Sequence, residues 1–370
     1  GSGSYPDPVT ESSSPLDLEG ETHEGQLIDA ADDVPEFQGW ESLEDEFSVE
    51  PAMPRREHFV TAVVVAHDGD VWLPAVLTTL GRQTRPMNAI VGVDSASKDS
   101  SAQMLRESLG DDAVVTLDTD KGFGVAAAAG VDHAVSRIGG LGDDVVRWIW
   151  FLHDDSAPDP TCLERLLETA DNHPSAVVLG PKILGWHDRR LLLEAGVTIN
   201  ADGRRVTGLE RREHDQGQHD GVRDVMAVSS AGMLIRQDVW EQLGGFDPNL
   251  PLYRDDLDLC WRVHRAGGRV LIATDAVLHH REASAHGRRE VREANERPHR
   301  ADREAAVRVL LAHSRPLVAP FVALRLLVGS VLRSVVYLIG KDFRAARDEV
   351  GAVAAVAFRP RRIAQSRELI

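Results

Sequence analysis

The residues in this chain best equipped for chemistry are carboxylates that arrive in clusters. Trp148-Ile149-Trp150-Phe151-Leu152 is an apolar run that stops abruptly at His153-Asp154-Asp155. Two adjacent carboxylates cannot both be buried unless a cation lies between or beside them. A hard divalent ion that also touches substrate phosphates, Mn²⁺ or Mg²⁺, would satisfy them, and a solvated turn is the alternative. A second cluster, Asp255-Asp256-Leu257-Asp258, opens a segment of helical spacing that stops at Gly267-Gly268. The helix dipole favours acidic residues there by a few tenths to about 1 kcal/mol each. A carboxylate held at such a start and facing a pocket is also a good general base. Two further features are His279-His280, which reads as lying just past the last strand, and Asp120-Lys121-Gly122-Phe123-Gly124, which opens an Ala-rich helix. The latter lacks the G-x-G-x-x-G dinucleotide fingerprint, but it could still bind an anion at its helix start, with Lys121 reaching a phosphate.

These groups need a frame that brings them together. Phe59–Ala66, Ala89–Val93, Ala113–Leu117 and Val145–Leu152 read as strands. They alternate with helical segments at Val71–Leu80, from Asp99 through Leu109, and at Val125–Ile138. That alternation predicts an α/β fold with a mostly parallel central sheet flanked by helices. Ligands of such sheets sit beyond the strand C-termini, where His67–Asp70, Asp94–Asp99 and His153–Ser156 all fall. Later segments read as a strand at Ala176–Ile183, a hairpin within Leu191–Val206 turning at Asn200-Ala201-Asp202-Gly203, and a strand at Arg269–Ala273.

Charge is uneven along the 370 residues, whose formal net is -18. Residues 1–57 carry 16 acidic side chains against Arg55 and Arg56, and read as an acidic, largely extended arm. Residues 58–287 form the catalytic domain on this reading. Residues 288–370 carry a net +8 and read as a basic helical region. The acidic middle argues against nucleic acid as a partner, because phosphate backbones need a cationic face. Cys162 and Cys260 are too few for a disulfide framework and read as buried thiols in a reducing compartment. The apolar stretch 317–340 is interrupted by Arg325 and Arg333. Each arginine would cost about 2.5 kcal/mol or more near a bilayer centre. Two readings stay open for this stretch: a helix lying in the membrane interface with its basic residues toward headgroups, and a helix packed on the domain.

Taken in order, these segments resemble the family 2 glycosyltransferases of GT-A fold, in particular the branch of bacterial rhamnosyl- and galactofuranosyltransferases. Val63–Asp68 is similar to the family's opening nucleotide-binding segment, which implies contacts from Ala66, His67 and Asp68. Val93-Asp94-Ser95-Ala96-Ser97-Lys98-Asp99-Ser100 resembles its "VDNGSTDGS" run and implies that Asp94 meets the nucleobase. Lys121-Gly122-Phe123-Gly124 resembles "N-x-GF", and Ser230–Ile235, with Gly232, resembles the "SGAFMLIR" strand beside the donor sugar. His153-Asp154-Asp155 stands where the family has its Asp-x-Asp metal motif. That implies Asp155 as chief ligand, with Asp154 near the donor and His280 as the late metal-binding histidine. Asp255-Asp256-Leu257-Asp258 matches "ED-x-D", placing the catalytic base at Asp256 with Asp255 and Asp258 as supporting acids. The sequence departs from the pattern in having His153 in place of an Asp and Asp255 in place of a Glu.

The resemblance implies an inverting, Mn²⁺- or Mg²⁺-dependent transfer from a nucleotide diphosphate sugar, dTDP- or UDP-linked, to a hydroxyl of a lipid-linked cell-envelope glycan. It implies work in the cytoplasm at the inner face of the membrane, with the basic C-terminal region against the lipid surface. The rival from another class is a non-catalytic sugar-nucleotide-binding module that regulates a membrane assembly. The intact Asp255-Asp256 pair speaks against it, because mere binding has no need of clustered carboxylates.

Overall fold

The computed structural model describes residues 56–281 and 298–370, apart from positions 140, 141, 143, 252 and 358. The acidic arm, except its last two residues, and the boundary near 287 lie outside the described residues. The chain from Arg55 to Ile370 forms one compact unit.

The first half alternates strand and helix. Its elements are β1 (Glu57–Ala66), α1 (Leu73–Leu80), β2 (Ala89–Ser95), α2 (Ser101–Leu109), β3 (Val114–Leu117), α3 (Phe123–Arg137), β4 (Val145–His153), β5 (Ser156–Pro158), α4 (Cys162–Asn172) and β6 (Ala176–Gly185). β3, β2, β1 and β4 run parallel in that spatial order. In β1 successive side chains point to opposite faces, and both faces are apolar. Val60, Ala62, Val64 and Ala66 join a core with α1, α2 and α4, while Val63 and Val65 join one with α3. Gly130 lets α3 approach closely, since a Cβ there would fall 2.7 Å from Val63 and Val93.

The second half is less regular. It comprises β7 (Leu192–Glu194), β8 (Thr198–Ile199), β9 (Arg205–Val206), β10 (Arg223–Asp224), β11 (Leu234–Arg236), α5 (Gln237–Leu243), α6 (Asp255–Arg265) and β12 (Arg269–His280). β11 inserts antiparallel between β4 and β6, and β12 runs parallel to β6 on the far side. The predicted hairpin is present as β8 paired with β9. One expectation is corrected: His279 and His280 lie on the last strand, not past it. Thr274–Ala276 bulge out between Ala273, paired with Pro181, and Val277, paired with Lys182, and the strand then continues to His280.

Four helices follow: α7 (Pro298–His313), α8 (Ala319–Ile339), α9 (Phe343–Ala357) and α10 (Pro360–Glu368). α7 is tied to α6 by a buried ionic network. His313 Nε2 lies 2.8 Å from one Asp258 oxygen, and Arg262 Nε donates to the other at 2.9 Å. The remaining Arg262 nitrogens donate to the carbonyls of Leu243 and Gly245, and the His313 ring stacks on Trp261 at 4.2 Å.

α8 is apolar, with a mean hydropathy of 1.9, and is long enough by length and composition to cross a membrane. It packs through Leu326, Ser330 and Ser334. Both Ser330 and Ser334 hydroxyls bond to α9, while Phe321, Leu332, Val336 and Ile339 stay exposed. Of the two readings left open for this stretch, the contacts of its arginines are those of a helix packed on the domain. Arg325 donates to the Ala201 carbonyl and Arg333 pairs with Glu349, so both turn to the protein.

Breaking a buried ion pair leaves an uncompensated charge and costs about 3–5 kcal/mol. Asp258→Ala is therefore expected to lower stability by that amount, read as a lower midpoint in urea or thermal unfolding. A midpoint within error of the parent would show that the network contributes nothing.

Candidate active site

The strand ends meet at one edge of the sheet, as their sequence position requires. Their loops are laced to one another by side chains. Asp154 Oδ2 accepts the His67 amide at 2.8 Å, the Asp68 amide donates to Ser97 Oγ at 3.0 Å, and the Gly69 amide donates to Ser101 Oγ at 2.9 Å. Asp99 accepts the Asp70 amide at 3.0 Å and the Ser101 amide at 2.9 Å, closing the first turn of α2. Beyond these loops lies a cleft of about 300 Å³.

One end of the cleft gathers His153 from the end of β4, Asp155 from the turn after it, and His280 from the end of β12. One ligand atom from each lies within 4.8 Å of the others, a spacing at which they could share an ion. His280 Nε2 is 3.1 Å from Asp155 Oδ1, and the His153 and His280 rings sit 5.4 Å apart, edge to face. His153 Nε2 is 3.1 Å from Ser230 Oγ, and Phe123 packs on its ring at 4.4 Å. Two imidazoles and a carboxylate are a donor set that fits a divalent transition ion.

The other end is formed by the first turn of α6. Arg254 enters it with φ of 67°, and its guanidinium grips both Asp302 oxygens and the Gly203 carbonyl. Asp255 and Asp256 are buried at 5% and 4% exposure. Asp256 accepts the Leu257 amide at 2.7 Å, and Arg205 Nη1 reaches its two oxygens at 2.9 and 3.1 Å. Arg205 Nη2 donates to Glu194 at 2.7 Å. Burial, reinforced by the neighbouring Asp256 charge, pushes the Asp255 carboxyl up to about 7. Burial likewise raises Glu194 although Arg205 opposes it, and Asp256 and Glu194 together raise the proton affinity of Arg205 against the effect of burial.

Of the residues expected from the sequence, the cleft is lined by His67, Gly122, Asp154, Asp155, Asp255 and Asp256, together with His280. Ala66, Asp68, Asp94, Lys121, Gly232 and Asp258 are not among its lining residues. Gly122 has φ of 93°, and a Cβ there would lie 1.9 Å from the Pro251 carbonyl oxygen, so glycine is demanded by the backbone. Gly232 is packed against Pro181 and Leu278, and its carbonyl accepts the Trp150 indole at 3.2 Å, which places it under the site. Lys121 is exposed. Asp94 is buried beside the cleft-lining Ser95, and its Oδ1 has no hydrogen-bond partner. Asp258 turns away to α7. The sequence reading missed Arg205 and Glu194. The turn at Asn200–Gly203 announced the hairpin that carries Arg205, but no local pattern announced where its side chain would point.

Comparison with known proteins identifies the family of the chain. The family model described as "Glycosyltransferase like family 2" matches residues 54–302. The chain is 22% identical over 243 residues to N-acetylglucosaminyl-diphospho-decaprenol L-rhamnosyltransferase of Mycobacterium tuberculosis, covering 59% of this chain and 75% of that protein. It is 29% identical over 141 residues to the O-antigen biosynthesis protein RfbC of Myxococcus xanthus, covering 36% of this chain and 11% of that protein. Similar solved structures include S. aureus TarS 1–349 in complex with UDP-GlcNAc, with a TM-score of 0.45 and 14% identity, covering 80% of this chain and 92% of that one. GalNAc-T7 with UDP, GalNAc and Mn²⁺ has a TM-score of 0.48 at 14% identity, covering 60% of this chain and 43% of that one, so the chain spans less than half of its length. Since the family match takes in more than half of its 370 residues, the chain belongs to glycosyltransferase-like family 2 and is a glycosyltransferase.

Proposed function

We propose that this glycosyltransferase is inverting and metal-dependent, and that it moves a sugar from a UDP- or dTDP-linked donor to a hydroxyl of a lipid-linked cell-envelope glycan. The observation that carries the reading is the shared cleft, lined both by the cluster of His153, Asp155 and His280 and by Asp255 and Asp256. Asp256 takes the proton of the acceptor hydroxyl as its oxygen attacks the anomeric carbon. The bond from that carbon to the diphosphate oxygen breaks, and its electron pair leaves with the diphosphate. A single displacement of this kind inverts the anomeric centre. His153, Asp155 and His280 are the residues that would hold the ion, which when bound supplies positive charge opposite the departing diphosphate. Two imidazole nitrogens favour Mn²⁺ over Mg²⁺, which prefers oxygen ligands. For the nucleotide, the unpartnered Asp94 Oδ1 supports a base with an imide N–H, as uracil and thymine have.

The lipid-linked acceptor is supported by α8. Its exposed apolar side chains, followed by Lys341, Arg344 and Arg347, suit an interface of acyl chains and anionic headgroups at the cytoplasmic leaflet.

Four measurements test these assignments. A panel of UDP- and dTDP-sugars with Mn²⁺ should reveal one donor whose diphosphate is released. With that donor, Asp256→Ala should keep binding yet lose turnover by about 100-fold or more. Turnover near the parent value would refute the base. In calorimetry, Asp155→Ala should weaken Mn²⁺ binding, and an unchanged isotherm would refute the metal site. For the membrane, truncation before α7 is uninformative because it would strip Asp258 of His313. A full chain carrying Phe321→Glu, Leu332→Glu and Val336→Glu should instead stay in the supernatant when the parent sediments with phosphatidylglycerol vesicles. Equal sedimentation of both would end the docking reading.

A further inference from the structure

Two neighbouring buried carboxylates raise a question that naming a base does not answer: which of them carries a proton. Like charges side by side in a dry site are expected to share one, and the pair titrates as a unit. If the proton sat on Asp256, the residue could not accept another from a hydroxyl.

The surroundings of the pair are lopsided. Among the described residues, Arg205 places Nη1 within reach of both oxygens of Asp256 and donates no hydrogen bond to Asp255, whose carboxyl is met by backbone amides, that of Asp256 reaching Oδ1 at 3.0 Å. The other cations nearby are committed elsewhere. Arg254 is held by Asp302 and the Gly203 carbonyl, and Arg262 by Asp258 and two backbone carbonyls. Among the described residues, Glu194 of β7 binds the other edge of the same guanidinium, and the buried Cys260 thiol and the cleft-lining Tyr253 bring no positive charge.

Arg205 is itself held in place. Its hairpin turn is gripped through backbone carbonyls by Arg325 at Ala201, Arg303 at Asp202 and Arg254 at Gly203. Gly203 sits close against Leu310 of α7. A guanidinium on so constrained a strand has little freedom to swing to Asp255.

We propose that Arg205 is a positioning residue that assigns the proton of this pair: by bonding to Asp256 and not to Asp255 it keeps the Asp256 carboxylate ionised and oriented as the base, and leaves Asp255 as the protonated neighbour. The inference rests on the reading of Asp256 as the base. Glu194 sets its strength, because the guanidinium shared with Glu194 neutralises Asp256 less completely than an undivided one would. The direction of the Asp255 shift, upward through burial and the adjacent charge, agrees with the assignment.

The test is ¹³C NMR of the full-length protein labelled at aspartate Cγ, with the two signals assigned by their loss in Asp255→Asn and Asp256→Asn. On acidification Asp255 should take up its proton before Asp256 does. In Arg205→Gln the order should reverse or the two should merge, and Arg205→Lys, which keeps the charge, should restore the parent order. Glu194→Gln should move the Asp256 titration to lower pH. Protonation of Asp256 ahead of Asp255 in the parent overturns the inference. So does an order unmoved by Arg205→Gln, or, should that variant not fold, an Asp256 titration that Glu194→Gln leaves in place or raises. The titration needs no substrate, so it fails separately from the base: turnover by Asp256→Ala would remove the base while leaving the proton order as measured.

Discussion

Negative charge concentrated in a dry place is the constraint around which the cleft is organised. The first turn of α6 carries Asp255, Asp256 and Asp258, all but closed to solvent. A helix N-terminus offsets only a part of the desolvation that such burial costs. The protein disposes of the three in three directions. Asp258 points to α7 and is matched by Arg262 and His313, Asp256 points to the β8–β9 hairpin and is matched by Arg205, and Asp255 is left with a backbone amide. The partners of Asp256 and Asp258 include residues of elements distant in sequence. The C-terminal helices are therefore part of the catalytic body's own electrostatics, and α7 closes the ion pair on which the geometry of α6 depends.

Much of the frame was legible because it is local. Apolar β-branched runs ending in polar clusters marked β1, β2 and β4, and a parallel sheet necessarily brings such ends together. The placement of Asp155, His280 and Asp256 around one cleft follows from that topology. What could not be read was long-range and irregular. Arg205 and Glu194 sit on strands of two and three residues, too short to show any period. Their meeting with Asp256 is decided by tertiary packing. Nor could motif reading show the internal constraints that act on the same residues: Gly122, which lines the cleft, is also required by a positive φ and a backbone contact, Gly232 is packed beneath the sheet, and Asp154, another lining residue, latches the turn after β1.

α8 illustrates a second kind of ambiguity. Hydropathy and two interrupting arginines suggested a helix whose cations face headgroups, yet Arg325 and Arg333 are spent on the protein. Composition alone cannot tell an arginine that meets lipid from one that anchors a helix to its own domain. The consequence is that the same helix fastens the hairpin turn that precedes Arg205.

The three-residue bulge in β12 has an implication for how this fold can vary. Neighbouring side chains on a strand face opposite ways, so His279, whose Nε2 lies 3.2 Å from Asp159, and His280, beside Asp155, serve different sides of one ribbon. Loss or gain of a single residue within Thr274–Ala276 would exchange them, sending an imidazole out of the cleft while the chain still read His-His. The bulge thus works as a counter for the strand. Its length, as much as the identity of the histidines, decides whether His280 stands beside Asp155 at the cleft.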